Sequence, residues 1–250
     1  MVGSKLHQDS HISKNKYTIG CDKTMRILEG DYAVERTSGF DGDSDIKRVT
    51  KILDEINTPE IVYWANSLGF KHLSYAKELR KYADLGTLVH SEIEDILTHV
   101  NSPFYFLKYE TPGAYAFYTW LAFKRAQGIH LKTLEIEKSI IGKYFCGTMD
   151  AIMKLNDEVY LIDFKTSNVI GYKYYMQLCA YRYLLKLSGY PYEIDKLMIL
   201  QVDKYDPDKF KEYIIDCKLE ADKVDFLTNA FLELVLLSYQ LDEIRGYKFN

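Results

Sequence analysis

Residues 131–164 carry three successive strand patterns, and these patterns constrain the fold more than any other part of the chain. Apolar and β-branched residues fill the segments 131–141, 144–155 and 158–164. Asn156 and Asp157, between the last two segments, are typical of a tight turn, so we expect those two strands to form an antiparallel hairpin. The chain must therefore build a sheet, and the rest of the sequence must supply the layers that cover it.

Helical patterns fill much of the chain before these strands. Apolar residues recur at helical spacing from Ile46 onward, and Thr58-Pro59 is typical of a helix start, with Thr58 as the cap. The upstream predictions are small strands or a hairpin over 15–40, a polar loop over 40–46, a helix from 46, a helix from 58 to near 69, one or two helices over 73–100, a turn at 103, and a turn at Pro112-Gly113 followed by a helix to about 126.

Downstream of the strands, the patterns return to alternating helices and strands. The predicted elements are a helix over 171–188, strands over 195–203 and 210–216, and a helix over 219–245. We therefore predict an α/β (α+β) fold, a mixed sheet flanked by helices. A length of 250 residues fits one large domain. It would consist of N-terminal strands or a hairpin (1–45), a helical region (46–127) and a catalytic α/β core (128–250).

The composition is that of a soluble globular protein, with 47% hydrophobic and 27% charged residues. No apolar run reaches the length of a membrane span, and no secretion signal is recognisable, so we expect a cytoplasmic protein without a membrane partner. The net charge of −4 argues against non-specific coating of nucleic acid. Any contact with DNA must then be local, with metal ions supplying positive charge.

Asp150, Asp163 and Lys165 form the group of residues that carries chemistry. Asp163 and Lys165 stand two apart on one predicted strand, so their side chains share a face of the sheet and Phe164 points to the other. The predicted hairpin brings Asp150, on the preceding strand, beside Asp163. Two carboxylates and a lysine therefore converge on one patch.

Two carboxylates in this arrangement suit a hard divalent cation such as Mg²⁺ or Mn²⁺, which prefers oxygen ligands. The backbone carbonyl of Phe164 can add a further oxygen ligand. Such a metal polarises a scissile phosphate and lowers the pKa of a bound water. Lys165 can orient that water or neutralise charge in the transition state. An Asp-x-Lys triplet alone is more often a solvated strand face, so that interpretation stays open on these residues.

The segments around these residues resemble the PD-(D/E)XK nuclease superfamily, in its RecB-like exonuclease branch. That family carries G-x-x-D on one strand, D-x-K-T on the next and Q-x-x-x-Y on the following helix. The matching residues are Gly147 to Asp150, Asp163 to Thr166, and Gln177 with Tyr181. The resemblance implies a restriction-endonuclease-like core and a metal-dependent nuclease activity, with Thr166, Gln177 and Tyr181 supporting the site or holding the phosphate backbone.

Two further matches to this family lie upstream of the hairpin. The family places a histidine on a helix in a G-x-x-x-H context followed by a glutamate, and Gly86, His90 and Glu94 fit that pattern. It also places a glutamate on the strand before G-x-x-D, where this chain has Glu137. The resemblance implies that His90 and Glu137 belong to the active site, as metal ligands or in contact with substrate or water. Taken alone, His90 is equally compatible with an ordinary amphipathic helix.

Residues 47–69 resemble the region of phage-encoded and mitochondrial genome-maintenance exonucleases that reads V-T-x-I-L, a spacer, then W-A. With this segment the resemblance covers about 46–185. Relatives with an iron–sulfur cluster hold it with four cysteines, three of them clustered near the C-terminus. Cys217 stands alone in that region, so we predict no iron–sulfur cluster. No G-x-x-x-x-G-K-[ST] occurs, so we predict no nucleotide cofactor.

A short basic stretch leads into His90 and is a candidate contact for DNA. It contains Lys71, His72, Lys77, Arg80 and Lys81. Lys77 and Arg80 are the two residues that we expect to contact the substrate, although such a run is often only a solvated helix face. Many aromatic residues lie over 60–127, and aromatic rings can stack on the bases of a single strand. Most aromatics at helical spacing are nevertheless core residues.

Together these patterns predict a metal-dependent deoxyribonuclease, an exonuclease that hydrolyses phosphodiester bonds from DNA ends. Single-stranded DNA is the expected substrate, in replication, recombination or repair, and the family resemblance suggests a phage protein acting in a bacterial host. Three alternatives remain open: an endonuclease of the same fold, a catalytically silent DNA-binding or assembly subunit, and a structural protein with an accidental motif.

Overall fold

The computed structural model describes residues 34–35, 46–56, 59–99 and 109–247. Within these ranges the predicted helices and strands are recovered to within a few residues at each end. The strands or hairpin expected over 15–40 (apart from 34–35), the polar loop before residue 46, the Thr58 cap and the turn at 103 lie outside the described residues.

Six helices and seven strands are present in the described part of the chain. The helices are α1 (Val49–Leu53), α2 (Pro59–Phe70), α3 (Tyr75–His99), α4 (Pro112–Ala126), α5 (Tyr172–Leu187) and α6 (Ala221–Gly246). The strands are β1 (Val34–Glu35), β2 (Lys47–Arg48), β3 (Leu131–Ile141), β4 (Phe145–Leu155), β5 (Glu158–Lys165), β6 (Lys196–Val202) and β7 (Phe210–Asp216). The segment over 73–100 is thus a single long helix.

The strands form one mixed sheet in the order β1-β3-β4-β5-β6-β7, and β2 pairs with the start of β4. Strands β3, β4 and β5 follow one another as antiparallel neighbours, and the pairing of β4 with β5 is the predicted hairpin. Strand β6 runs parallel to β5 because α5 carries the chain back across the sheet between them. The predicted fold class, a mixed sheet flanked by helices, is confirmed.

Two helical layers cover the sheet, and each has its own hydrophobic cluster. Helices α1, α5 and α6 pack on one face, where Phe145 and Phe231 lie edge to face. Helices α3 and α4 pack on the other, where the rings of Phe117 and Trp120 stack at 5.5 Å. Successive residues of β5 alternate between these two clusters, as a strand buried on both faces requires. The residues at its end therefore lie between the two layers.

The Pro112-Gly113 pair is not a turn before α4, as the sequence predicted, but the first turn of that helix. The side chain of Thr111 caps the helix by accepting a hydrogen bond from the backbone N–H of Ala114, at 3.2 Å. Proline is tolerated at this position because the first N–H groups of a helix have no partner within the helix. A β-carbon on residue 113 would lie 2.9 Å from Val89, so the glycine lets α3 and α4 approach closely.

Helix α6 is the described helix whose length and apolar character would allow it to cross a membrane, although only by those two criteria. Its Phe231, Leu232 and Val235 are fully buried in the core beneath the sheet, as in a core helix of a folded domain. At its other end, Lys47 Nζ reaches Asp242 at 2.5 Å and Ser238 Oγ at 2.6 Å. These contacts hold β2 against the last helix.

Candidate metal centre

The ladder between β4 and β5 stops where the two candidate carboxylates begin. Its last pair is Ala151 with Ile162, and Asp150 and Asp163 come next on the two strands. Asp150 Oδ2 accepts a hydrogen bond from the backbone N–H of Phe164 at 2.7 Å. The carboxylate thus takes over a backbone group that the strand pairing leaves free, which fixes its position at the point where the strands separate.

Glu137 lies opposite Asp150 on β3, in an irregular stretch of that strand. Its backbone has a φ of 45°, in the left-handed region that non-glycine residues rarely adopt. On β4, Met149 and Ala151 pack into clusters on opposite faces of the sheet, although residues two apart normally share a face. The alternation of side chains between the two faces of the sheet is therefore broken on β4 between Met149 and Ala151, where Asp150 lies. Backbone irregularities of this kind are concentrated at functional sites.

Helix α3 brings His90 to the same place from the layer above. His90 Nδ1 lies 3.6 Å from Asp150 Oδ2, and its ring meets that of Phe164 edge to face. One turn earlier, Gly86 faces Thr166, where an added β-carbon would lie 3.5 Å from Thr166 Oγ1. That distance is an ordinary van der Waals contact, and it shows that α3 passes beside the end of β5 at this point.

His90, Glu137 and Asp150 together form a group that could hold a metal ion. Each offers one ligand atom, and the three atoms lie within 4.8 Å of one another. They line a cleft of about 420 Å³, whose other walls are Ala83, Gly86, Thr87, Ser91 and Glu94. One imidazole nitrogen and two carboxylates suit a divalent cation such as Mn²⁺ or Mg²⁺.

Asp163 and Lys165 lie beside this group, on the side of the sheet that faces α5. The side chain of Asp163 is only 2% exposed, and its Oδ2 lies 2.6 Å from Lys165 Nζ. Lys165 Nζ also sits 5.0 Å from the centre of the Tyr174 ring. In this arrangement Asp163 is paired with the lysine and is not one of the three residues whose ligand atoms converge.

Gln177 and Tyr181 support Asp163 from one face of α5. Gln177 Nε2 donates to Asp163 Oδ1 at 3.0 Å and to the hydroxyl of Tyr181 at 3.3 Å. The Tyr181 ring in turn packs against Gly147, where no β-carbon intervenes. The three sequence motifs G-x-x-D, D-x-K-T and Q-x-x-x-Y are thus joined by direct contacts. Tyr174 was missed by the sequence analysis, although its position one turn before Gln177 is a signal that could have identified it.

The surroundings of the three carboxyl groups shift their pKa values in different directions. Burial raises the pKa of Glu137 to about 7, and the Asp150 charge adds to this effect while His90 opposes it. Burial likewise raises the pKa of Asp163 to about 6, against the attraction of Lys165. Burial also acts on Asp150, but His90, Lys165 and the Phe164 N–H outweigh it and lower the pKa of Asp150. Asp150 is therefore the most strongly anionic of the three.

The two bases of the site both favour their charged forms. Burial lowers the pKa of His90, but its hydrogen bond and charge interaction with Asp150 are stronger and raise it overall. Burial also lowers the pKa of Lys165, and Asp163 and Asp150 more than compensate, so that the pKa is raised. Without a bound cation, the ammonium of Lys165 is the positive charge that lies against the buried Asp163 carboxylate.

The predicted DNA-contacting residues lie away from the ligand atoms, on the first turns of α3. Lys77 and Arg80 are exposed, and the latter lies 3.9 Å from Asp84 on the same helix. Glu92, two residues after His90, accepts through its Oε2 a hydrogen bond from the backbone N–H of Thr111 at 3.2 Å and so stabilises the start of α4. The expectation that most aromatic residues over 60–127 are core residues is wrong for the described part of that segment. Three are buried (Tyr109, Phe117 and Trp120), two are half-buried (Trp64 and Tyr82), and six are exposed (Tyr63, Phe70, Tyr75, Tyr115, Tyr118 and Phe123).

Comparison with known proteins adds little to this geometry. No family model matches the sequence, and no curated protein matches it. Among solved structures, the chain is similar to one described as "Crystal structure of SSO0001", with 17% identity and a TM-score of 0.36. The likeness covers 86% of this chain and 84% of that chain.

Proposed function

We propose that this chain is a metal-dependent deoxyribonuclease that hydrolyses phosphodiester bonds from the ends of single-stranded DNA. The observation that carries the proposal is the convergence of His90, Glu137 and Asp150 next to the buried Asp163–Lys165 pair. The resemblance of the same residues to the RecB-like exonuclease motifs supports the choice of substrate and the preference for ends.

His90, Glu137 and Asp150 are the residues that would hold the cation, and Asp163 lies next to them. A divalent cation supplies Lewis-acid polarisation of a phosphate oxygen and lowers the pKa of a water ligand. Asp150, held by the Phe164 N–H, keeps the negative charge that attracts the cation. This set of donors fits Mn²⁺ or Mg²⁺, and a cation there would offset the desolvation of Asp150.

We assign to Lys165 a direct role in the reaction, in contact with the attacking water or the phosphate. Its ammonium lies at the edge of the site, anchored by Asp163 and covered by the Tyr174 ring. In that position it can orient an attacking water and neutralise the charge that develops on the phosphate. Gln177 and Tyr181 hold Asp163, and therefore the lysine, in place.

A comparison of linear and circular DNA tests the proposal directly. The protein is incubated with Mg²⁺ or Mn²⁺ and either an end-labelled linear single strand or a circle of the same sequence. We expect loss of the linear strand alone, abolished in Asp163→Asn and retained in Asp157→Asn. Asp157 is a matched control because it lies in the exposed turn of the same hairpin.

The other outcomes contradict the proposal in distinct ways. Cleavage of the circle would assign an endonuclease of the same fold. Hydrolysis of RNA alone would change the substrate class. Binding of DNA without cleavage by either metal would assign a catalytically silent DNA-binding subunit. Cleavage that persists in Asp163→Asn would contradict the role of the Asp163–Lys165 pair in the reaction.

A further inference from the structure

An aromatic and basic cluster lies beside α3, two turns before His90. Lys204, in the loop between β6 and β7, places its Nζ 4.5 Å from the centre of the Tyr82 ring and 5.7 Å from that of Tyr205. Lys204 thus lies between the rings of Tyr82 and Tyr205. Trp64 of α2 packs edge-on against Tyr82, with ring centres 5.9 Å apart. We call Tyr82, Lys204 and Tyr205 the tyrosine platform.

The outer ring of the platform is open to solvent, yet its backbone is held in place. Tyr205 is 65% exposed. Asp203 Oδ1 accepts hydrogen bonds from the backbone N–H groups of Tyr205 and Asp206, at 2.9 and 3.2 Å, and its other oxygen lies 3.1 Å from Lys209 Nζ. A flat ring on a fixed loop can bind a ligand at a low cost in conformational entropy. Nothing in the proposed catalytic chemistry uses this ring.

The surroundings of the platform favour a negatively charged ligand. The segment 71–84 at the start of α3 carries four basic residues against two acidic ones, whereas the whole chain has a net charge of −4. The basic side chains are Lys71, Lys77, Arg80 and Lys81, and all are exposed. The loop over 203–209 adds Lys204 and Lys209 but also Asp203, Asp206 and Asp208, so over the two segments the basic residues exceed the acidic ones by one. This local excess is the opposite of the overall charge, as a local site for a polyanion requires.

We propose that the tyrosine platform binds an unstacked base of single-stranded nucleic acid whose backbone runs along α3 to the metal centre. The inference rests on the proposed function and adds to it a strand-holding site outside the reacting group. Tyr82 and His90 are eight residues apart on one helix, or about 12 Å along its axis. That distance corresponds to about three or four stacked nucleotides at roughly 3.4 Å each.

The chemistry of the platform matches a base with its phosphate. A base can stack on the exposed ring of Tyr205, since every base has a flat π-face. The neighbouring phosphate can then pair with Lys204, which already lies against the rings. A duplex would not expose its bases for such stacking, so the platform selects unpaired strands.

Binding measured without added metal tests this site separately from catalysis. Fluorescence anisotropy compares a labelled 12-nucleotide thymidine strand with an abasic strand of the same length and charge. We expect the wild type to bind the thymidine strand more tightly. Tyr205→Ala should weaken that binding at least about fivefold, the lower bound for loss of one stacked base, and leave the abasic strand unaffected. Tyr205→Phe should keep most of the affinity because it keeps the ring.

Tyr192→Ala is the matched control, because Tyr192 is also an exposed tyrosine packed against a second ring but lies in the connection between α5 and β6. Equal affinity of the wild type for the two strands would overturn the proposal. So would a loss in Tyr205→Ala no larger than that in Tyr192→Ala. If Tyr205→Ala altered only self-association in sedimentation velocity, the platform would contact a second copy, and the proposal would again be overturned.

The same variants separate failure of this site from failure of the nuclease proposal. Hydrolysis by the wild type with a KM unchanged in Tyr205→Ala would overturn the platform and leave the nuclease standing. If the protein hydrolysed no DNA but bound the thymidine strand through Tyr205, the result would support the platform proposal and overturn the nuclease proposal.

Discussion

Tyr181 lies so close to Gly147 that a β-carbon on residue 147 would come within 2.5 Å of Cε1 of its ring. The hydroxyl of the same tyrosine accepts a hydrogen bond from Gln177, which also donates to Asp163. Because residue 147 has no β-carbon, α5 can approach the sheet closely at this point. Gly147, the first residue of the G-x-x-D motif, is thus in direct contact with Tyr181, the last residue of the Q-x-x-x-Y motif.

Gly147→Ala should lower both stability and activity because the added methyl group displaces the buried Tyr181. Overpacking of this kind costs about 1–3 kcal/mol of unfolding free energy. Urea unfolding followed by tryptophan fluorescence measures the loss, and the rate on linear single-stranded DNA measures the effect on the site. Gly69→Ala is the control, since a β-carbon there would meet nothing within 4 Å. A Gly147→Ala protein as stable as that control would contradict the contact.

Gln177→Ala should weaken the site without removing any of the three convergent ligands. Asp163 would lose the hydrogen bond that orients it, and residues that orient metal-site groups typically contribute 10–100-fold to metal affinity or activity. The measurement is the Mn²⁺ concentration that gives half of the maximal rate. Lys186→Ala, an exposed change on the same helix, serves as the control. An unchanged metal requirement in Gln177→Ala would show that Asp163 does not depend on this bond.

Glu137→Gln should make the metal-free protein more stable at pH 8 but not at pH 4. Folding raises the pKa of this carboxyl from 4.5 to about 7, so the native state binds the proton more tightly than the unfolded state. Stability therefore falls as the pH rises between these two values, and the glutamine variant escapes this loss. We expect a gain of about 1 kcal/mol, reduced from the full effect by solvent screening at a partly open carboxylate.

The same pair of proteins also tests Glu137 as a ligand. Mn²⁺ stabilises the native state by mass action in proportion to its affinity. Saturating Mn²⁺ should therefore raise the melting temperature of the wild type more than that of Glu137→Gln. Parallel pH profiles for the two metal-free proteins would contradict the raised pKa, and equal shifts with Mn²⁺ would contradict the ligand assignment.

Glu212→Ala should destabilise the fold by about 2–3 kcal/mol through the loss of a partly buried polar network. Glu212 accepts from the Trp120 indole N–H at 2.6 Å and pairs with Lys124 at 2.7 Å, which joins β7 to α4. Its removal leaves the buried lysine without this carboxylate. Urea unfolding measures the change, and Glu212→Gln, which can still accept from the indole, should lose less. Equal losses in the two variants would contradict a contribution from the charge pair.

The sequence predicted the central strands almost to the residue because their pattern and turn are local. Strand β3 has the predicted bounds, and Asn156 at the hairpin turn takes a φ of 53°, a conformation that asparagine tolerates. The shared face of Asp163 and Lys165 also followed from their spacing. The Pro112-Gly113 pair was misassigned because the same two residues are common in turns and in the first turn of a helix.

The details of the candidate site were beyond local patterns. The irregular backbone at Glu137 cannot be predicted from the two-residue period of side chains along a strand, because that period assumes a regular strand. The pairing of Asp163 with Lys165 rather than with the three convergent ligands depends on burial between the sheet and α5. The approach of His90 to Asp150 depends on how α3 crosses the sheet, which only the packing of the α3–α4 layer determines.

The approach of His90 to Asp150 joins residues that are sixty positions apart and belong to different layers of the fold. The hairpin and α5 can arrange Asp163, Lys165 and Gln177 among near neighbours in sequence, but the imidazole arrives only when α3 docks. A folding intermediate with a finished sheet and a loose helical layer would hold half of the site. The complete set of ligands is in that sense a property of the tertiary structure, and cation affinity would rise only once α3 has docked on the sheet.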